Sequence, residues 1–183
     1  MNSILEKYKF DCIWHFTDFS NLDLIMEYNG LLSLCEIELR GIKVPKPGGN
    51  TWSHDADKIK GIHEYIHLAF IDDHPMLYIT KQDGRILNPI WLKISSSILL
   101  KEDVRFCSDV SNKSSVAILD ADEAKTQIDF EVLFTYMDWR DKEVKARREA
   151  AKKSEILIPN FISIEHILDF KNAGADFYNV HVE

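Results

Sequence analysis

The stretch "AAKKSEILIPNF", residues 150–161, holds a change of register on which the fold turns. Small and basic residues end at Ser154, one glutamate follows, and the chain becomes apolar. "EILIP" reads as a strand, placing Glu155 and Leu157 on one face and Ile156 and Ile158 on the other. Glutamate is a poor strand residue. Glu155 therefore has two readings, an exposed strand start or a carboxylate held for chemistry. Upstream, "RDKEVKARREAAKK" (140–153) reads as a helix with Glu143–Arg147 and Lys145–Glu149 at i,i+4. Its bases outnumber its acids. It reads as a solvated face, or as a surface where Arg147, Arg148, Lys152 and Lys153 meet phosphates.

Working outward, "WHFTDF" leads into a helix whose stripe is Leu22, Ile25 and Met26, with Ser20 as the expected N-cap, Asp23 three residues on, and an end at Asn29–Gly30. "LLSLCEIE" fits neither period cleanly. "KVPKPGGN" (43–50) is a loop by its Pro and Gly content. A short helix is expected over Asp55–Lys60. Strands are expected at "YIHLAF" (65–70), "MLYIT" (76–80), "PIWLKI" (89–94), "VRFC" (104–107) and "FYNVHV" (177–182), with a turn at "QDGR" (82–85). A helical turn is expected at "SSSILLKED" and one helix from Asp122 to Tyr136. Strands mixed with helices, without strict alternation, predict an α+β fold in one domain spanning 1–183.

With 45% hydrophobic and 28% charged residues the composition is that of a globular chain. No apolar run approaches the roughly 18–20 residues that cross a bilayer, so no membrane partner is expected. "MNSILEKYKFDC" carries acids and does not read as a signal peptide. Cys12, Cys35 and Cys107 form neither a C-x-x-C pattern nor a disulfide framework, which fits a cytoplasmic setting. The net charge of −8 works against extended contact with nucleic acid, although a local basic surface or a single bound nucleotide would escape that argument. P-loop, G-x-G-x-x-G, H-E-x-x-H and G-x-S-x-G motifs are absent. The seven histidines are scattered, and His63 and His67 do not share a helical face, so no metal is expected. His15, in an aromatic stretch before a helix, is either a core histidine bonded to a carbonyl or a ligand for ribose hydroxyls. Trp52 is a packing anchor or a stacking platform.

The order of the motifs adds what none carries alone. "WHFTDFSNLDLI", a polar loop, "YIHLAF…HPMLYI", "MDW" and "RREAAKKSEILIPNFISIEHI" together resemble the DarT family of DNA-targeting ADP-ribosyltransferase toxins, from Ile13 to Ile167. The resemblance implies an ADP-ribosyltransferase-like fold with a split central β-sheet flanked by helices. It implies transfer of ADP-ribose from NAD, as co-substrate, to a base in single-stranded DNA, in a toxin–antitoxin or phage-defence system with a DarG-like macrodomain antitoxin. On the matching motifs, Glu155 is the expected catalytic glutamate. His15, Thr17 and Asn21 fall in the NAD-contacting motif, and Trp52 and Ser53 in a region that contacts NAD or DNA. Thymidine-modifying members carry a catalytic arginine before the "YVPFYF"-like strand. Here none lies between Thr51 and Tyr65, Lys58 is the expected stand-in, and the strand reads "YIHLAF". These departures resemble the guanine-modifying or a divergent branch. Transfer to RNA or protein, and a non-catalytic nucleotide-binding module, are the alternatives.

Overall fold

A computed structural model describes residues 1–173. In chain order its helices and strands are α1 (Asn2–Tyr8), β1 (Cys12–Asp18), α2 (Leu22–Glu27), β2 (Gly30–Leu32), α3 (Leu34–Leu39), α4 (Thr51–Lys60) and β3 (Tyr65–Ala69). There follow α5 (Pro75–Gln82), β4 (Pro89–Ser95), β5 (Arg105–Cys107), α6 (Ala121–Gln127), α7 (Phe130–Phe134), α8 (Lys142–Ala151), β6 (Glu155–Pro159), β7 (Phe161–Ser163) and β8 (Ile167–Asn172). The expected strand at 177–182 lies outside the described residues.

Six strands form an antiparallel sheet in the order β5-β6-β3-β1-β4-β8, and β2 pairs with β7 in a second, two-stranded sheet. The large sheet is open at its centre. β1 runs against β4 from Cys12↔Ser95 to Asp18↔Pro89, and β3 against β6 from Tyr65↔Pro159 to Ala69↔Glu155. Between β1 and β3 the register is held by Trp14↔Ala69 alone. Past that pair the strands part, and the expected split sheet is realised at that parting.

The alternation read in "EILIP" holds. Ile156 and Ile158 join the main core with Ile66, Leu68, Phe70 and Phe106, while Leu157 packs with Ile62 and Cys107 on the other face. Glu155 shares that second face and is buried rather than exposed at the strand start.

Four local expectations change. "MLYIT" lies in α5, because Pro75 occupies the first helical turn and the His74 ring accepts the Met76 N–H as an N-cap. As a strand it would expose an alternate set; as a helix it leaves Tyr78 and Ile79 in solvent. Ser20 caps nothing. Asp18 is the cap of a single 3-10 turn, Phe19–Asn21, and receives the Ser20 N–H and Oγ–H at 3.0 and 2.8 Å. Its second oxygen takes the N–H groups of Leu87 and Asn88 at 2.7 and 2.9 Å. Burial would raise its pKa, but these backbone donors prevail and hold it at about 2. The expected 122–136 helix breaks at extended Ile128, because Asp129 caps α7 instead. Finally, α4 begins four residues before Asp55, at Thr51, where Asn50 and Ser53 form a reciprocal capping box.

Candidate active site

Where β1 and β3 diverge, a cleft of about 580 Å³ opens, closed above by the 43–50 loop and α4. That volume lies within the range of roughly 300–1,000 Å³ typical of small-ligand sites. His15 bridges the parted strands, its Nδ1 lying 3.0 Å from the His67 carbonyl oxygen. A carbonyl can only accept, so Nδ1 carries the hydrogen and Nε2 is left as an acceptor. Burial pushes the imidazole pKa down, despite the carbonyl contact that raises it, so the ring is neutral. His15 is thus bonded to a carbonyl, as one of its two readings expected, and it also lines the cleft.

Thr17 and Asn21 are buried at the same mouth. The Asn21 amide donates to Thr17 Oγ1 at 2.9 Å and to Lys46 O at 2.8 Å, and its oxygen accepts the Lys46 N–H at 3.0 Å. All of these bonds are internal, and they pin the cleft's upper loop. Ser53 lines the cleft through α4, where its hydroxyl is held by Asn50.

Glu155 closes the floor at the first residue of β6, opposite Ala69 and Cys107. Its Oε2 accepts the Ser111 N–H at 3.1 Å and a short bond from the Ser111 hydroxyl, with His67 Nδ1 at 3.3 Å. Oε1 faces His74 Nε2 at 3.6 Å. Burial would raise the carboxyl pKa, but the His67 contact and charge, the nearby His74 ring and the Ser111 bond together lower it. The side chain is therefore a buried carboxylate, a group rarely kept without purpose. The loop bearing Ser111 is fixed from below by Lys60, whose Nζ donates to the carbonyls of Ser111, Lys113 and Val116.

Lys58 is not brought to this floor. It projects from a different face of α4 into an exposed ion pair with Glu38 at 2.7 Å, because α4 is a continuous helix from Thr51 and turns residues 57 and 58 to different faces. Trp52 is also off the cleft and 71% exposed. Of the four cations expected to meet DNA, three bind this chain's own groups. Arg147 is bidentate on Asp129 at 2.6 and 2.9 Å and also reaches Glu131 at 2.8 Å. Arg148 donates to the carbonyls of Val132 and Leu133 and stacks 5.2 Å from the Trp139 ring centre. Lys152 contacts Glu149 and Asp73 at 3.0 and 3.5 Å. Lys153 has no carboxylate within 4.0 Å among the described residues.

Sequence reasoning did not single out His67, His74, Ser111, Asp57 or Arg85. Arg85, in the turn after α5, lines the cleft with one guanidinium nitrogen on the Gly48 carbonyl and another on Asp83 at 2.7 Å. Among the described residues, three buried side-chain atoms lack a hydrogen-bond partner: Asp57 Oδ1, His63 Nδ1 and Arg85 Nε. All three residues line this cleft. Buried polar atoms are nearly always satisfied, so these three stand out as unpaired within the cleft wall. No group of three metal-ligating side chains occurs among the described residues.

An ionised carboxylate in a concave, mostly apolar site is suited to stabilising positive charge on a bound molecule. Comparison with known proteins agrees with that chemistry. Residues 14–171 match the family described as "ssDNA thymidine ADP-ribosyltransferase, DarT". No curated protein matches the chain. Among solved structures, DarT of Thermus sp. 2.9 in complex with ADP-ribosylated ssDNA superposes with a TM-score of 0.65 at 18% identity, covering 87% of this chain and 80% of that one. The same protein in complex with NAD+ gives 0.57 at 18% identity over the same shares. Thermosipho africanus DarTG in complex with ADP-ribose gives 0.65 at 19% identity, covering 88% of this chain and 43% of that one. At these identities the superpositions establish the shared fold, and the sequence match extends over most of the 183 residues. The chain belongs to the DarT family of ssDNA thymidine ADP-ribosyltransferases.

Proposed function

We propose that the cleft binds NAD and that Glu155 drives transfer of its ADP-ribose to a nucleobase of single-stranded DNA. The observation that carries this reading is the ionised, buried Glu155 carboxylate on the floor of the cleft. The bond between nicotinamide nitrogen and ribose C1′ breaks, and nicotinamide leaves with the electron pair. The ribose passes through an oxocarbenium-like state whose charge the carboxylate stabilises. A base nitrogen then bonds to C1′, and its proton passes to Glu155.

His15 offers Nε2 as an acceptor for a ribose hydroxyl. Thr17 and Asn21 act by holding the upper loop in place. Arg85, which lines the cleft and whose buried Nε lacks a partner, supplies the cation for the NAD diphosphate from a different element than the position where the family arginine is lacking. A base presented from a single strand avoids the cost of extrusion from a duplex. The absence of arginine between Thr51 and Tyr65 favours an acceptor other than thymidine. The described residues hold no helix long and apolar enough to cross a membrane. The reading carries a cytoplasmic setting and a DarG-like macrodomain antitoxin that opposes the activity, in keeping with the DarTG relative.

Labelled NAD incubated with single-stranded oligonucleotides of differing base content should transfer label to DNA with wild type and not with Glu155→Ala. Mass analysis of the product identifies the base. Label on RNA or protein with none on DNA would change the acceptor class.

A further inference from the structure

The two histidines flanking Glu155 differ in what their nitrogens face. His74 Nδ1 accepts the Met76 N–H at 3.4 Å, so its one hydrogen sits on Nε2, 3.3 Å from the Lys153 carbonyl. One donor and one acceptor satisfy a neutral ring. His67 has no donor to receive. Its Nε2 lies 3.4 Å from the Ile62 carbonyl. Its Nδ1 lies 3.3 Å from Glu155 Oε2 and 3.0 Å from Ser111 Oγ. Ser111 spends its hydroxyl hydrogen on Glu155 and presents only a lone pair to His67. With acceptors at both nitrogens, the ring meets every partner only as an imidazolium.

We infer that His67 is a positioning residue of the transfer reaction, an imidazolium that fixes Glu155 by its Oε2 and keeps it ionised, leaving Oε1 for the ribose. The inference rests on the proposed role of Glu155. His67 and Glu155 are diagonal neighbours on one face of β3 and β6, since His67 registers with Leu157 and Ala69 with Glu155. The other groups around the ring are Asp57 on α4, His15 on β1, His74 on α5 and Cys107 on β5. Asp57 adds negative charge, while His15 and His74 are neutral, their pKa values lowered by burial. Burial pushes the Cys107 thiol up to about 12, so it carries no charge. Burial alone would lower the His67 pKa; the Glu155 bond and charge, with Asp57, raise it overall. His67 is also the exposed end of the cluster, its side chain 30% accessible against 8% for Glu155 and 3% for His74.

Two measurements test this. Histidine ring NMR titration of wild type, with His67 assigned from His67→Asn, should give a pKa above the ordinary histidine value that falls in Glu155→Gln. A His67 pKa at or below the ordinary value, or one indifferent to Glu155→Gln, overturns the inference without reference to activity. Transfer kinetics should show His67→Asn losing about tenfold or more in kcat with KM for NAD within about twofold, because ground-state binding is untouched. The acid limb of its kcat profile should move to higher pH, since Glu155 loses the charge that holds its pKa down. An unchanged kcat and acid limb in His67→Asn would equally overturn it. Wild type that shows no Glu155-dependent transfer overturns the proposed function instead, and the NMR titration still decides the pair.

Discussion

The cleft wall and helix α8 both carry charge, and they use it differently. On α8, Arg147 is tied to Asp129 and Glu131, Arg148 to two carbonyls and an indole, and Lys152 to Glu149 and Asp73. In the cleft, Asp57, His63 and Arg85 each keep a buried polar atom without a partner. A cation already holding two carboxylates must give them up before it meets a phosphate. An unpartnered buried atom has paid its desolvation and gains from any complementary ligand. Capacity to bind thus lies in unspent hydrogen-bonding atoms rather than in local density of Lys and Arg. Substitutions at Asp57, His63 or Arg85 should therefore alter activity with little change in stability, and α8 substitutions should do the reverse.

The largest expected effect is at Glu155. Glu155→Gln keeps shape and burial but removes the charge, and should lower the transfer rate by about 10²–10⁴-fold. Nicotinamide release measured beside thermal unfolding checks it. A rate within a few-fold of wild type would mean that the cleft floor is not the reacting centre.

How far this contrast could be read from sequence depends on distance along the chain. The alternation in "EILIP" correctly set Glu155 and Leu157 on the face opposite Ile156 and Ile158, because strand geometry is local. "MLYIT" misled because five alternating residues fit either period, and the deciding feature was the His74–Pro75 pair preceding it. The cluster itself was out of reach. His67 and Ser111 lie 88 and 44 residues from Glu155, and only the β3–β6 register and the Lys60-fixed loop bring them together. The same limit explains α8, whose basic run is plain in sequence while its partners at Asp129, Glu131 and Asp73 are not.

Arg85 tests the unspent side next. Arg85→Met should raise KM for NAD about tenfold while kcat changes less, the pattern of a lost ground-state phosphate contact. If kcat falls and KM stays fixed, Arg85 serves the transition state and not the diphosphate.

The Glu155–His67 pair also sets a pH window for stability. The lowered Glu155 pKa contributes stability that is fully present above the ordinary value of 4.5 and is lost as pH falls through the folded value. The raised His67 pKa contributes stability that is fully present below 6.5 and is lost as pH rises through the folded value. The stability difference between wild type and His67→Asn should therefore be greatest between 4.5 and 6.5. Buried, neutral His74 opposes this in both proteins, because its unfolded ring takes up a proton first as pH falls through 6.5. Thermal unfolding from acid to alkaline pH checks the shape. A pH-independent difference would mean a neutral contact.

On the spent side, Arg147→Ala should lower Tm by a few degrees and leave KM for NAD and affinity for single-stranded DNA unchanged, since it releases α8 from Asp129 and Glu131. A weakened DNA affinity at unchanged Tm would show that the guanidinium exchanges these carboxylates for phosphates.

The finest division falls within α8's own end, between Lys152 and Lys153. Lys152 shares its charge with Glu149 and Asp73, whereas Lys153 has no carboxylate within 4.0 Å among the described residues. Each phosphate contact on a single strand adds about 0.7 to the slope of log affinity against log salt. Lys153→Ala should reduce that slope by about this amount and Lys152→Ala should leave it unchanged. Both are measurable by fluorescence anisotropy with a labelled single-stranded oligonucleotide across a salt series. Equal reductions would show that an ion pair on this surface does not withhold a lysine from DNA. The distinction between spent and unspent cations would then apply to the buried cleft alone, where desolvation makes the partners hard to exchange.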